Sequence, residues 1–210
     1  MKKIITVLLV LTSFSAFAQK TKVDLIIKSG KIINVETGKI ETGKSVVISN
    51  GIIVDVVNNR QISQYEAKEV VNAAGKYVLP GLWDMHMHFG GGDTLIAENK
   101  NLLPLFLAYG ITTVRDAAAD ITPSVLKWRG EINKGNLLGP TIFTSGPKLE
   151  GYKSIWPGDL EINSVEELNK ALDSLQKLKV DFVKITDNAI KPDLYLDAIK
   201  AARNKGFKIS

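Results

Sequence analysis

From residue 82 to its end, the chain alternates short apolar runs with longer helical segments, and this alternation limits the fold more than any other feature. Strands are predicted at residues 82–86, 111–115, 141–144, 180–185 and 207–210. Helices are predicted at residues 95–109, 123–133, 165–179 and 193–205. Regular strand and helix units predict an α/β fold with a parallel sheet and right-handed crossovers, either doubly wound or closed into a barrel.

Polar groups at the strand ends favour the barrel. No glycine fingerprint for a dinucleotide follows the first predicted strand. Groups able to bind a metal instead stand at the ends of more than one strand, which is where a (β/α)8 TIM barrel places its chemistry. Four units and the start of a fifth strand are present, whereas a closed barrel needs eight. We therefore expect residues 79–210 to be the first half of such a barrel.

Residues 19–78 form a separate segment that is rich in predicted strands. Its β-branched runs are separated by glycine turns, which predicts a small antiparallel sheet module with Asn50-Gly51 as its clearest hairpin turn. Residues 38–45 match the letters of a phosphate-binding P-loop. A P-loop leads into a helix, whereas Ser45 leads into another apolar strand, so we interpret this stretch as a hairpin.

Residues 1–18 have the pattern of a signal peptide. Lys2 and Lys3 precede an apolar run, and Ala16-Phe17-Ala18 offers small residues for cleavage after Ala18. The alternative is a membrane anchor, but the run is short and is interrupted by hydroxyl residues, so no stable anchor is expected. A periplasmic or secreted protein follows from this pattern. The chain has no cysteine, which excludes disulfides and thiolate metal sites.

The charge distribution argues against a nucleic-acid partner. Without the two leader lysines the formal net charge falls from +5 to +3, and the remaining Lys and Arg residues form no long run. Binding to nucleic acid would require a clustered basic face, ideally interleaved with aromatic residues.

The only two histidines, His86 and His88, stand two residues apart after the first predicted strand of the barrel region. Side chains at i and i+2 of a strand leave the same face, so both imidazoles can be directed at one point. This is half of a metal site, and the flexible glycine run 90–92 follows it. The alternative is a chance pair in a solvated loop.

Lys184 is the third candidate metal-binding residue. Val183 and Ile185 share the face opposite to Lys184, so packing of that aliphatic pair on the helices would direct the lysine into the barrel mouth. A partly desolvated lysine loses its proton more readily, and the neutral amine can react with carbon dioxide to give a carbamate, or carboxylysine, whose oxygens can bridge two cations. A solvated lysine at a strand end is the alternative.

Three further charged residues belong to the first two predicted strands of this region. Asp84 is in phase with the histidines, so we expect it to face inward and to fix an imidazole tautomer or to be a buried carboxylate bonded to backbone amides or to Arg115. Arg115 and Asp116 end the second predicted strand, where an internal ion pair or a loop anchor is expected.

The long loop after the third predicted strand lies where a barrel would cover its active mouth. Substrate contact is one interpretation and a solvated loop is the other. The residues concerned are Glu150, Tyr152, Trp156 and Asp159. Trp128 belongs to a helix face and is expected to pack in the core.

Four stretches together resemble the amidohydrolase superfamily. They are VLPGLWDMHMH at residues 78–88, YGITTVRD at 109–116, GPTIFTSG at 139–146 and VDFVKI at 180–185. The branch looks like the secreted imidazolonepropionase-like or Xaa-Pro dipeptidase-like group. The resemblance runs from about Val23 to the last residue, and the combination is far more specific than two histidines alone.

The resemblance implies a metal-dependent hydrolase on a distorted (β/α)8 barrel, with residues 19–78 forming the N-terminal part of a β-sandwich domain. His86 and His88 would bind the first divalent ion, with zinc expected, and a carboxylated Lys184 would bridge it to a second. Water acidified as a metal-bound hydroxide would attack a carbonyl carbon and break the C–N bond of an amide, peptide or cyclic amide. The implied substrate is a small or dipeptide-like molecule.

The chain also departs from the family pattern. The family takes two further histidines and a proton-shuttling aspartate from later strands, and none of these occurs here. We therefore expect the 210-residue chain to be inactive alone and to expose a sheet edge prone to self-association as a homo-oligomer. Two other interpretations stay open: a non-catalytic binding or degenerate fragment of the fold, and a mononuclear deaminase on the same barrel, which would need no carbamate.

Overall fold

The computed structural model describes residues 19–186 and 188–210, so the predicted signal peptide lies outside the described residues. The chain divides between Pro80 and Gly81 into two compact units. Among the described helices, none has the length and apolar character needed to cross a bilayer.

Within its described part, residues 19–80, the first unit contains seven strands in two sheets. The strands are β1 (Thr21–Lys28), β2 (Lys31–Ile33), β3 (Ile40–Glu41), β4 (Lys44–Ser49), β5 (Ile52–Asn58), β6 (Tyr65–Asn72) and β7 (Tyr77–Val78). One sheet has the order β5-β4-β1-β6 and the other has the order β3-β2-β7. Val23, Ile26, Val47 and Val57 form the buried cluster of this unit.

The predicted antiparallel module is wrong in part, because each sheet also contains a parallel pair. β1 runs antiparallel to β4 but parallel to β6, and β2 runs antiparallel to β3 but parallel to β7. The Asn50-Gly51 hairpin is confirmed, since both residues have positive φ and join the antiparallel strands β4 and β5. Ser45 lies within β4, which excludes a P-loop at this position.

The second unit alternates strands and helices. The elements are β8 (Leu82–Met87), α1 (Ile96–Ala108), β9 (Ile111–Asp116), α2 (Thr122–Asn133), β10 (Thr141–Thr144), β11 (Leu149–Glu150), β12 (Leu160–Glu161), α3 (Val165–Leu178) and α4 (Pro192–Asn204). β8, β9 and β10 form a parallel sheet of order β10-β9-β8, as the alternation predicts. Trp128 of α2 packs in the core with Val114 and Ile142, as expected.

The prediction of regular strands at 180–185 and 207–210 is wrong. These segments form only single parallel bridges, between Val183 and Ile209 and between Ile185 and Leu149. Three backbone hydrogen bonds nevertheless join the two segments as a short parallel pairing, from the N–H groups of Val183, Ile185 and Ser210 to the carbonyls of Lys208, Ser210 and Val183. The predicted facing is nevertheless right, because Val183 and Ile185 are buried in the cluster that includes α3 and α4 side chains.

Candidate active site

A cavity of about 500 Å³ opens in the second unit, at the ends of the parallel strands. All three predicted metal-binding residues, His86, His88 and Lys184, line this cavity. The remaining lining residues are Phe89, Gly90, Gly91, Ala117, Ala118, Ala119, Asp120, Pro147, Lys148, Trp156, Pro157, Gly158, Asp159, Thr186 and Asn188. Within 19–186 and 188–210, no three His, Cys, Asp or Glu side chains are close enough to hold a metal ion together.

The two imidazoles lie side by side, with ring centroids 5.2 Å apart and ring planes at 63°. A register irregularity in β8 sets their direction. Asp84 pairs with Val114 and Met87 pairs with Asp116, so one extra residue intervenes and Asp84 shares the face of Met87.

The expectation that Asp84 faces the same way as the histidines is therefore wrong. The bulge reverses the alternation between Asp84 and His86, and period two no longer holds across it. The Asp84 carboxylate instead accepts a hydrogen bond from the backbone N–H of His86 at 3.1 Å, which stabilises the irregular backbone.

The ring of His88 is oriented by a backbone carbonyl. Its Nδ1 lies 3.1 Å from the carbonyl oxygen of Ala118. A carbonyl can only accept, so Nδ1 carries the hydrogen and Nε2 of the neutral ring keeps its lone pair. Histidines that bind metals commonly donate their second N–H in this way.

Asp116 ties the residue that follows His88 to the end of β10. Its buried carboxylate accepts hydrogen bonds from the Phe89 N–H at 3.2 Å and from the Thr144 hydroxyl at 2.6 Å. Burial raises the pKa of Asp116 from 3.8 to about 6, although hydrogen bonds from Thr144, Phe89 and Ala118 and the nearby His88 oppose this shift. The expectation of a loop anchor is confirmed for this residue.

Arg115 does not pair with Asp116 among the described contacts. Its guanidinium donates to the Met85 carbonyl at 3.0 Å and lies 4.4 Å from the centre of the Phe182 ring. Arg115 therefore connects β8 to the segment that carries Lys184, and it is not one of the residues that line the cavity.

Lys184 enters the cavity from a segment fixed by backbone hydrogen bonds. The N–H of Leu149 donates to the Lys184 carbonyl at 2.8 Å, and the N–H of Thr186 donates back to the Leu149 carbonyl at 3.1 Å. The lysine is half-buried between the buried residues Val183 and Ile185. Its side chain therefore has the facing that the strand alternation predicts.

Glu150 is a buried anchor that secures this segment, and it does not line the cavity. Its carboxylate accepts hydrogen bonds from the Thr186 hydroxyl, the Asn188 amide and the N–H groups of Gly151 and Ala189. Burial alone would raise the pKa of Glu150, but these hydrogen bonds outweigh burial and hold the pKa below its ordinary value. Of the loop residues singled out in the sequence, only Trp156 and Asp159 reach the cavity.

Two lining residues have no sequence signal of their own. Lys148 is buried, and its ammonium nitrogen lies 2.7 Å from Asp159 and 3.7 Å from Glu150 as an ion pair with both carboxylates. Asp120 accepts hydrogen bonds from the N–H groups of Gly91 and Gly92 at 3.1 and 3.0 Å. Its other oxygen is buried and has no hydrogen-bond partner among the described residues.

The chain shares its fold with solved amidohydrolase-family structures. A protein described as a prolidase from Bifidobacterium longum matches 88% of this chain with a TM-score of 0.74 and 23% identity. This chain spans 48% of that protein. A Xaa-Pro dipeptidase with bound methionine gives a TM-score of 0.69 at 22% identity, again over 88% of this chain, which spans 55% of the dipeptidase. Molinate hydrolase gives a TM-score of 0.71 at 19% identity over 89% of this chain, which spans 53% of molinate hydrolase.

The sequence is similar to adenine deaminases, which are also amidohydrolases. That of Geobacillus kaustophilus is 35% identical over 100 residues, which are 48% of this chain and 16% of the relative. The adenine deaminase of Petrotoga mobilis is 38% identical over 87 residues, which are 41% of this chain and 14% of the relative. No family model matches the chain.

These comparisons confirm the resemblance to the amidohydrolase superfamily. The α/β arrangement resembles the N-terminal region of the amidohydrolase fold. The chain spans about half the length of the solved structures and less than a fifth of the curated relatives that it matches.

Proposed function

We propose that this chain is part of a divalent-metal-dependent hydrolase that cleaves a C–N bond in a small-molecule or dipeptide-like substrate. One observation carries the proposal: His86, His88 and Lys184 line a single cavity. The similarity to amidohydrolases supports a metal-dependent hydrolase of that family. The names of the similar proteins, which include dipeptidases and deaminases, support a small substrate containing a C–N bond.

The residues present fit a divalent metal. Two imidazoles face one cavity, and the hydrogen bond of His88 Nδ1 to Ala118 leaves its Nε2 available as a donor. The chain has no thiolate, so nitrogen and oxygen are its only donors, a set that suits zinc, manganese, iron and cobalt. A carboxylated Lys184 would add oxygen donors and allow two ions to bind, and zinc is the metal that we propose.

The chain's own residues would prepare the site in three ways. A divalent ion, when bound, polarises a carbonyl oxygen and makes water more acidic. His86 and His88 would hold the ion, while Ala118 fixes the tautomer of His88. Asp116 holds the backbone directly after His88 in place, and the hydrogen bonds around Lys184 fix the backbone from which its amine enters the cavity.

We further propose that residues 79–210 form half of a (β/α)8 barrel and that residues 19–78 belong to a β-sandwich. The parallel order β10-β9-β8 and the two sheets of the first unit are compatible with this architecture. The remaining metal-binding residues and the catalytic aspartate would come from outside this chain, so the 210-residue chain alone is expected to lack turnover.

Metal binding by the 210-residue chain tests the proposal. We expect zinc, measured by isothermal titration calorimetry and elemental analysis, to bind the wild-type chain and to be lost in His86→Ala and His88→Ala. Trp156→Ala, which alters the same cavity, is the matched control and should keep the zinc. Zinc binding that is unchanged without both histidines would contradict the assignment.

The similarity to adenine deaminases favours a second candidate, the removal of an amino group from a ring by a mononuclear enzyme. Such an enzyme needs no carbamate. Native mass spectrometry in bicarbonate separates the two schemes: the binuclear scheme expects the added mass of carbon dioxide in the wild type and its loss in Lys184→Arg. A carbamate that is absent from a zinc-loaded chain would favour the deaminase.

A further inference from the structure

Trp156 is a large apolar side chain left open at the cavity. Its residue surface is 59% exposed, and it lines the cavity beside Pro157. The next residue back, Ile155, is 85% exposed but is not part of the cavity lining. The loop 151–159 therefore presents Trp156 and Pro157 to the cavity and Ile155 to solvent.

This loop is tied down at its base. Its two ends are joined by the parallel pair β11 and β12, in which Leu149 faces Leu160 and Glu150 faces Glu161. The N–H of Leu160 donates to the Lys148 carbonyl at 2.9 Å. The loop is therefore closed by a backbone ladder next to the residues that carry the ion pair.

The buried ion pair between Lys148 and Asp159 fixes the side of the loop that bears Trp156. The Lys148 ammonium lies 2.7 Å from the Asp159 carboxylate, and less than a tenth of either side chain is exposed. The Ser154 hydroxyl donates to the same carboxylate, and the N–H of Trp156 donates to the Ser154 oxygen at 3.2 Å. A chain of contacts thus runs from Lys148 to the backbone of Trp156.

Close packing at Gly158 holds the loop against the turn that follows β9. Gly158 has φ +80°, and a Cβ atom placed on it would lie 3.0 Å from the Cα of Asp120. The indole at 156 is therefore attached to a backbone that is fixed on two sides before any ligand arrives, so little ordering is needed to use it for binding.

We infer that Trp156 forms the wall of a subsite for a planar ring in the substrate, and that the Lys148–Asp159 ion pair positions this wall. An indole face stacks favourably on a flat ring, and the ring covers apolar surface that is otherwise exposed to water. Phe89, Ala117 and Ala119 contribute further apolar lining to the same cavity. The inference rests on the proposed function only for the identity of the C–N bond to which the ring is attached.

Benzamide is the probe, because it joins a planar ring to a C–N bond of the proposed class. Its dissociation constant is measured by NMR titration of the 210-residue chain in the presence of a chelator, so neither metal nor turnover is required. We expect Trp156→Ala to weaken benzamide binding roughly tenfold, as for the loss of one stacked ring. Ile155→Ala, the control in the same loop, should leave the constant unchanged within about twofold.

The role of the ion pair is tested by conservative rescue. Asp159→Asn and Lys148→Met should each weaken benzamide binding, whereas Lys148→Arg, which keeps the charge, should restore most of it. A binding constant that is insensitive to Trp156→Ala, or no benzamide binding by the wild type, overturns the inference. Zinc binding that persists in that case leaves the proposed function standing, and Trp156-dependent benzamide binding by a chain that binds no zinc removes the proposed function alone.

Discussion

Asp116 is fully buried at the base of the candidate site, where its carboxylate bridges three strands. It ends β9, it accepts from Thr144 at the end of β10, and it accepts from Phe89 just beyond β8. Removing Asp116 would release the backbone around His88 as well as a strand contact. A buried carboxylate with few neutralising partners is costly in its ionised form, which makes its charge measurable through stability.

The raised pKa of Asp116 predicts a loss of stability between about pH 4 and pH 6. In the folded chain the pKa is about 6, above its ordinary 3.8, so the folded state binds a proton more tightly than the unfolded state. The contribution of protonated Asp116 to stability is therefore fully present below pH 4. It is lost as pH rises through 6, which lowers the free energy of unfolding by about 3 kcal/mol. Urea unfolding at a series of pH values measures it.

Asp116→Asn is the comparison, because it cannot ionise and keeps a similar shape. As pH rises across this window, the wild type should lose unfolding free energy relative to Asp116→Asn, since the other carboxylates titrate equally in both proteins. Two stability profiles that stay parallel from pH 4 to pH 7 would show that Asp116 does not titrate there.

The sequence could identify the histidine pair and Lys184 because residue type and period two are local signals. It placed Asp84 on the wrong face because a bulge depends on the register with β9, which no local pattern reveals. The partners of Lys148 and Glu150 were equally out of reach, since Asp159, Thr186 and Asn188 are brought to them only by the folded chain.

At the scale of elements, Glu150 joins the short strand β11 to the segment that follows Lys184. Deleting its side chain should destabilise this region strongly, because four hydrogen bonds lose a buried acceptor together. We expect Glu150→Ala to lower the unfolding free energy by about 3 kcal/mol and Glu150→Gln to lower it less. The measurement is urea unfolding at pH 7.

Glu166→Gln is the matched control for this prediction. Glu166 is exposed on α3, and its one ion-pair partner among the described residues is Lys170, one turn along the helix. An exposed pair at this spacing contributes less than about 1 kcal/mol. If Glu150→Ala were no more destabilising than Glu166→Gln, the anchoring role of Glu150 would be rejected.

The helices and the strands β8 to β10 lie close to their predicted positions. Their apolar periodicity, their helix starts and the glycines that follow the helices all indicate the same bounds. A serine followed by a glutamate three residues later is typical of a helix start, and the Ser164 side chain accepts a hydrogen bond from the Glu167 N–H at the start of α3. The segment that carries Lys184 is not a regular strand, because it meets the two-residue strand β11 at a single bridge and residues 207–210 at another.

At the scale of the whole molecule, the mixed pairing of the first unit shows what an apolar pattern leaves open. Period two gives the two faces of β1, but the choice of a parallel neighbour in β6 depends on residues more than 40 positions away. The proposed half-barrel has the same dependence, since closure of a barrel needs more strands than β8, β9 and β10.

The edge of the parallel sheet predicts self-association of the 210-residue chain. Within the described residues, β8 is an end strand of its sheet, and Leu82, Trp83 and Met85 are each at least half exposed on it. An exposed apolar edge strand is a template for pairing with another chain. We therefore expect sedimentation velocity to show concentration-dependent association, and Leu82→Lys to reduce it, because a lysine on an edge strand opposes pairing. Ile155→Lys adds the same charge to an exposed loop residue away from any strand and should leave the association unchanged. A chain that sediments as a monomer at high concentration, or an equal effect of both substitutions, would exclude the β8 edge as the contact.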